Sequence, residues 1–390
     1  VIVMGLMSGT SMDGIDVALL ELAGEDPHNL DWTLLAFRSV AYEAEQRQRL
    51  RSTIEEGNAE ALCALHADLG EWLGEAARTV LEDSGVPPND VAVLGSHGHT
   101  AWHRPPSPGR RGATLQLGDP ATIAARSGVP VISDFRAADV AAGGHGAPLV
   151  PWADRALFSL PGCSRALQNL GGVGNVTWLP PRDAPEAPVA FDTGPGNGLL
   201  DAAARRATDG ASDMDEDGAM AAAGVLVPEL LESLLSHPFL AQAPPKSTGR
   251  EAFGPALVAD IAAGSGLRSG ATDSGWNDLL TTLAEFTARS IGDAYRSWVL
   301  PLGTDEVILT GGGARNPELV RRIGEALAPV PVRIGPEALG MDPDAREAAA
   351  FAVLAWAHSR GHPANVPGVT GASGPRILGS WTPAPGRRRP

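Results

Sequence analysis

GLMSGTSMDGID, residues 5–16, is the stretch on which the reading of the whole chain turns. Residues 1–3 before it read as a short strand and residues 17–22 after it as a second, so the polar segment is a tight turn between two paired strands. Gly5, Gly9 and Gly14 relieve the steric limit on backbone angles, while Ser8, Thr10 and Ser11 place hydroxyls and N–H groups on the loop. Such a loop can wrap an anion or sit solvated at a hairpin tip, and spacing alone does not separate the two. Asp13 and Asp16 add carboxylates suited to a hydrated Mg²⁺ beside that anion, because Mg²⁺ prefers one or two carboxylates plus phosphate oxygens and water. The stretch is not a Walker loop: no GK[ST] follows, and the next element is a strand.

At 390 residues the chain exceeds one ordinary core, so two domains with a cleft are expected. Apolar residues make up 43% and charged residues 19%, the balance of a globular protein. No apolar run approaches the length of a membrane span, and the first residues lack a basic region leading into an apolar core. A cytoplasmic protein with no membrane partner is the expectation. Cys63 and Cys163, without a CxxC, fit a reducing compartment and offer no metal or disulfide framework. A net charge of −16 argues against nucleic acid as a partner.

Working outward, residues 32–40 read as a third strand, and helices are predicted over 43–56 and after Asn58. The second of these places Leu62, Leu65, Leu69, Leu73, Ala76 and Val80 on one stripe, a core-facing pattern. Buried-strand signals at 91–95, 115–117 and 129–133 each end in polar residues: SHGHT, GDP and DFR. In open α/β sheets that strand edge is where ligands sit. The opening plan then recurs, with a strand at 165–170, the glycine turn GGVGN at 171–175 and a returning strand at 176–179. That recurrence hints at duplicated halves. A strand at 189–191 runs into DTGPGNG, residues 209–245 read as an insertion, and a long helix at 277–299 precedes the strand 307–310 and GGGARNP. The last strong helix spans 345–360, and an irregular, partly disordered tail is expected beyond Gly361.

Asp192 is the strongest candidate for chemistry. It ends a buried strand and is followed by a glycine-rich turn, so its carboxylate projects over backbone bare of side chains. That suits a general base, although an Asp accepting turn N–H groups has the same pattern. Gly311, Gly312 and Gly313 let a ring or phosphate approach a helix start, or simply form a turn. His97, His99, His103 and His145 make a rival constellation, since HxH after a strand can begin a divalent-metal hydrolase site. No later HxxH or Cys cluster completes it. DMDEDG at 213–218 matches the first half of an EF-hand loop, but Gly224 stands where the bidentate Glu belongs. Glu347 is either solvated or faces a ligand, and periodicity does not decide.

Taken in order, GLMSGTSMDGID, GSHGHTAWHRP, LQLGDP, ISDFRAADVAAGGHGAPLVP, NLGGVGNVTWLP, FDTGPGN, KSTGREAF, LTGGGARNP and REAAAFAVLA resemble the anhydro-N-acetylmuramic acid kinase family from about residue 2 to about residue 360. The resemblance implies an α/β, two-domain hexokinase/Hsp70/actin-like (ribonuclease H-like) fold with an inter-domain ATP cleft. Expected boundaries are 1–128, 129–344 and 345–390, the last segment returning to the first domain. It also implies cleavage of a 1,6-anhydro bridge with phosphorylation of O6, Asp192 as the base, ATP and Mg²⁺ as cofactors, a small sugar as partner and a homodimer. Gly9, Thr10, Ser11 and Asp13, with Asp16, would meet the γ-phosphate and metal; Gly171, Gly172 and Asn175 the other phosphates; Gly311, Gly312, Gly313 and Asn316 the adenosine. His97, Asp134, Arg136 and Glu347 would contact the sugar. Where this chain has His99 and His145 the family usually has Gln. Three alternatives stand beside this reading: a same-fold kinase for another amino sugar, an ATP-independent metal hydrolase built on the histidines, and an ATP-binding module without chemistry.

Overall fold

The structure, a computed structural model, describes residues 1–270 and 274–387 and divides into two compact units, Val1–Phe158 with Asp344–Pro390, and Ser159–Pro343. In the first, β1 (Ile2–Ser8) and β2 (Gly14–Ala23) form the opening hairpin, and β3 (Asp31–Ala41) extends it antiparallel. The strands reach further into GLMSGTSMDGID than the hydropathy suggests, leaving residues 9–13 as the turn proper. β4 (Val91–Arg104) runs parallel to β1, β5 (Ala113–Leu117) folds back on its far end, and β6 (Val131–Ser133) runs parallel to β4.

In the second unit, β7 (Arg165–Leu170), β8 (Val173–Leu179) and β9 (Val189–Pro195) form an antiparallel meander. β10 (Glu306–Thr310) then lies parallel to β7 and β11 (Val332–Ile334) parallel to β10. The order β9-β8-β7-β10-β11 repeats β3-β2-β1-β4-β6 strand for strand and sense for sense. Each unit is therefore a ribonuclease H-like sheet, and the recurrence of the opening plan is a duplication of fold.

One face of the first sheet packs on the helix Ala59–Ser84, whose predicted stripe of Leu65, Leu69, Leu73, Ala76 and Val80 joins Met4 and Leu6 in the core. The other face takes the helix Arg346–Arg360, and its alanines have a physical cause. A methyl group added at Gly5 would run into the Ala348 carbonyl oxygen, and one at Gly95 into that of Phe351, so helix and sheet meet backbone to backbone. Arg346 anchors this helix through a buried bidentate pair with Asp154, Nε to Oδ1 at 2.8 Å.

Two expectations need correction. The first boundary lies at 158/159 rather than 128/129, because β6 pairs with β4 and Asp154 pairs with Arg346 inside the first unit. The described part of the tail is ordered. The last strand, β12 (Ser380–Thr382), pairs antiparallel with β6, and Asn365 and Thr370 both donate to buried Asp139 Oδ1 at 2.7 Å. Residues 388–390 lie outside the described residues. Among the described residues no single helix is long and apolar enough to cross a membrane.

Candidate functional site

In the first unit β1 delivers the chain to Ser8, whose buried Oγ lies 2.7 Å from the Tyr42 hydroxyl and 2.9 Å from His99 Nδ1. Beyond it the turn closes with Met12 N–H donating to the Gly9 carbonyl at 3.1 Å, and Tyr42 N–H donates to the Asp13 carbonyl at 3.1 Å. Met12 sits at φ 59°, a left-handed conformation that costs a non-glycine residue about 1 kcal/mol or more. Thr10, Ser11 and Asp13 are exposed on this framed loop. Burial pushes the half-buried Asp16 carboxyl upward, opposed by a hydrogen bond from Ser39, and the negative charges of Asp344 and Asp13 raise it further. Repulsion between neighbouring carboxylates is what a bound cation relieves. No group of three or more His, Cys, Asp and Glu with metal-binding geometry occurs among the described residues. A two-carboxylate Mg²⁺ site does not need one.

The residues expected to contact the sugar, His97, Asp134, Arg136 and Glu347, lie in the same unit. His97 is buried, with Nδ1 2.9 Å from the Gly98 carbonyl; since a carbonyl only accepts, Nδ1 carries the proton. Nε2 then presents its lone pair to Arg136 Nε at 3.2 Å and Nη2 at 2.9 Å. Burial, followed by the Arg136 charge, drives the His97 pKa down to about 3, with the Gly98 carbonyl opposing, so the ring is neutral at physiological pH. Both ring nitrogens are occupied, and Nε2 holds the Arg136 guanidinium in place. Arg136 also donates to the Gly146 carbonyl at 2.8 Å. Asp134 is exposed and held at φ 56°, and Glu347 is solvent-accessible at the start of the last helix. Partial withdrawal from water raises the Glu347 carboxyl first; Arg346 opposes this, Asp16 and Asp154 add to it, and Arg136 opposes it more weakly.

The HxH pair cannot chelate one metal ion. Gly98 between the two residues adopts φ 70°, which breaks the strand alternation. His97 therefore stacks on Phe351 of the last helix at 4.7 Å, while His99 faces Ser8 and Tyr42, which packs on Trp72 of the opposite layer. His103 turns to Thr114 Oγ1 at 3.1 Å, and His145 is held by its backbone N–H to the Thr370 carbonyl at 2.7 Å.

In the second unit Asp192 lies on β9, in register with Asn175 of β8. Its Oδ2 accepts from Thr248 N–H at 2.8 Å and its own N–H donates to the Lys246 carbonyl at 3.2 Å. Burial raises its carboxyl to about 6, with the Thr248 N–H and the Lys246 ammonium pulling the other way. Lys246 Nζ is itself spent on the Phe239 and Leu240 carbonyls at 3.3 and 3.1 Å and lies 4.6 Å from the Phe239 ring centre. The glycine hairpin docks on the turn that follows the base: Asn197 N–H donates to Gly171 O at 2.7 Å, and Gly196 and Gly198 N–H donate to Gly172 O at 3.3 Å. Base and hairpin are thus one rigid construction.

Gly311 takes φ 79°, and Gly312 has open space where a side chain would stand. Asn316 is buried, and its Oδ1 caps the helix Pro317–Leu327 by accepting Leu319 N–H at 3.0 Å. Sequence reasoning missed Asp201, a half-buried carboxyl raised to about 6 by burial and held by Asn197 Nδ2 at 2.7 Å. It also missed the grip of KSTGR on Asp192. The motif itself was visible; its backbone bonds across 56 positions were not.

A family model described as anhydro-N-acetylmuramic acid kinase matches residues 1–384. The chain belongs to this family. The anhydro-N-acetylmuramic acid kinase of Gloeobacter violaceus is 43% identical over 383 residues, covering 97% of this chain and 98% of the relative. That of Salinibacter ruber is 42% identical over 385 residues, covering 97% and 95%. Among solved structures, the ROK hexokinase from Thermus thermophilus aligns with a TM-score of 0.40 at 16% identity, over 91% of this chain and 98% of that one.

Proposed function

We propose that this protein opens the 1,6-anhydro ring of anhydro-N-acetylmuramic acid with water while transferring the γ-phosphoryl group of ATP to O6, giving N-acetylmuramic acid 6-phosphate for peptidoglycan recycling. The observation that carries this reading is the Asp192 carboxylate on β9, fixed by the Thr248 N–H at 2.8 Å in a buried setting that raises it to about 6. A base poised near the working pH takes a proton most effectively. Asp192 removes a proton from water as the water oxygen bonds to the anomeric carbon. The bond from that carbon to the bridge oxygen breaks, and the oxygen bonds to the γ-phosphorus as ADP leaves. One carboxylate suffices where an inverting glycosidase needs two, because the phosphoryl group replaces the general acid.

The loop at Gly9, Thr10 and Ser11 supplies donors to the γ-phosphate, and the hairpin at Gly171 and Gly172 with Asn175 serves the other phosphates. Gly311, Gly312 and Gly313 leave room for the adenosine. Asp13 and Asp16 would hold Mg²⁺, which when bound offsets the charge of the phosphate oxygens. Arg136, steadied by His97, together with Asp134 and Glu347, orients the sugar. Mass spectrometry of the product from the anhydro sugar with Mg-ATP tests the reading: the expected product gains one phosphoryl group and one water. Turnover of the sugar without ATP would refute it, and a product from another amino sugar alone would reassign the substrate.

A further inference from the structure

We propose that Arg250 is the cation that grips a nucleotide phosphate at the second glycine hairpin, a deepening of the kinase reading on which it rests. Arg250 is exposed and makes no hydrogen bond or ion pair among the described residues. An unpaired arginine on a protein of net charge −16, with acidic residues to choose from, is either solvated or reserved for a ligand. Its placement decides between these. The guanidinium lies against the bare face of Gly172: a β-carbon built there would stand 3.3 Å from Nε and 3.6 Å from Nη2. It therefore occupies the space a side chain would fill on the hairpin that presents backbone donors to an anion. A planar fork of five donors laid beside such a hairpin matches phosphate geometry.

The backbone of Arg250 is held from both directions. Upstream, Thr248 N–H and the Lys246 carbonyl are bonded to Asp192. Downstream, Ala252 and Phe253 N–H both donate to the Gly249 carbonyl, at 3.2 and 3.1 Å, and a side chain at Gly254 would strike the Arg250 carbonyl. Burial raises the Asp201 carboxyl and the charges of Arg205 and Arg250 pull it down, although Arg250 forms no ion pair with it; Asp201 is held by Asn197 Nδ2 at 2.7 Å. One short loop thus seats the base at one end and a phosphate ligand at the other. Nucleotide binding and water activation are coupled through the same few residues.

The same guanidinium could instead meet the lactyl carboxylate of a muramic sugar, so the test separates the two anions. Arg250→Met removes the charge and leaves the backbone bonds of the loop in place. Calorimetric titration with ATP and with adenosine, on wild type and variant, needs no turnover. The expected result is a loss of about 10- to 100-fold in ATP affinity, as for a charge-assisted hydrogen bond, with adenosine affinity unchanged. KM for ATP rises in step, KM for the sugar stays within twofold, and Arg250→Lys recovers part of the loss. A rise confined to the sugar KM would overturn the proposal in favour of the carboxylate, and unchanged affinity for both would overturn it outright. A wild-type protein that binds ATP through Arg250 but does not phosphorylate the anhydro sugar would support this assignment while removing the activity proposed above.

Discussion

Replacing Asp192 by Asn should abolish turnover and at the same time stabilise the protein, and the two effects have one cause. The Asp192 carboxyl is raised from an ordinary 3.8 to about 6, chiefly by burial. A raised carboxylate pKa means that folding favours the protonated form. Below pH 3.8 both folded and unfolded chains are protonated there, and the group costs nothing. As pH rises from 3.8 to about 6 the unfolded chain ionises while the folded one resists, and stability falls. Above that window the full cost is present, about 3 kcal/mol at ~1.36 kcal/mol per pH unit. Asparagine never ionises, and its Oδ1 can still accept the Thr248 N–H. Urea unfolding at pH 8 should therefore find Asp192→Asn more stable by about 2–3 kcal/mol, a gap that closes towards pH 4. Loss of the base should lower kcat by about 10²- to 10⁴-fold, and wild-type kcat should rise with pH through about 6. Equal stability at pH 8, or a gap that does not change with pH, would refute the claim that an ionised base is held against its own solvation. Near-normal kcat in the variant would refute its role as base.

Gly95→Ala should destabilise by about 1–3 kcal/mol in urea unfolding, because the added methyl runs into the Phe351 carbonyl and the last helix must lift from the sheet. Arg346→Ala should cost about 3–5 kcal/mol, since it strands the fully buried Asp154 carboxylate; adding Asp154→Leu should recover much of this loss, which a double-mutant cycle would show. His97→Phe keeps a ring against Phe351 but removes the acceptor from Arg136, so the sugar KM should rise roughly tenfold at the ~1 to 1.5 kcal/mol of one hydrogen bond, with KM for ATP unchanged. In wild type the sugar KM should show no inflection from His97 between about pH 5 and 8, because burial holds that ring at about 3, and an inflection that vanishes in His97→Phe would contradict the neutral assignment.

The two strand–turn–strand hairpins were legible in the sequence because their signals are local, although β9 runs through Asp192 to Pro195 instead of ending at it. Alternation, glycine and a polar residue at a strand end all fall within a dozen positions. What was illegible depends on distant partners. The strand at 129–133 is legible, but its pairing with β4 and the Asp154–Arg346 pair, which carry the first unit to residue 158, depend on distant partners. Gly, Pro and Arg dominate the tail and read as irregular, yet it is held by Asn365 and Thr370 reaching a buried Asp139 more than 220 positions away. The Asn316 cap of the helix that follows it was also unread, because it rests on a side-chain bond that the glycine turn before it does not signal.

The histidines show how one backbone angle can separate two chemistries. Strand alternation places residues two apart on one face, so His97 and His99 read as a chelating pair. With Gly98 at φ 70° the register is broken and the two rings part to opposite layers. One holds Arg136, and the other joins Ser8 and Tyr42 beside the first turn. Substituting Gly98 would be strained for any other residue, and the methyl group it adds would also run into the Leu117 carbonyl. The glycine that parts the two rings is therefore the residue that hands one to Arg136 and the other to Ser8.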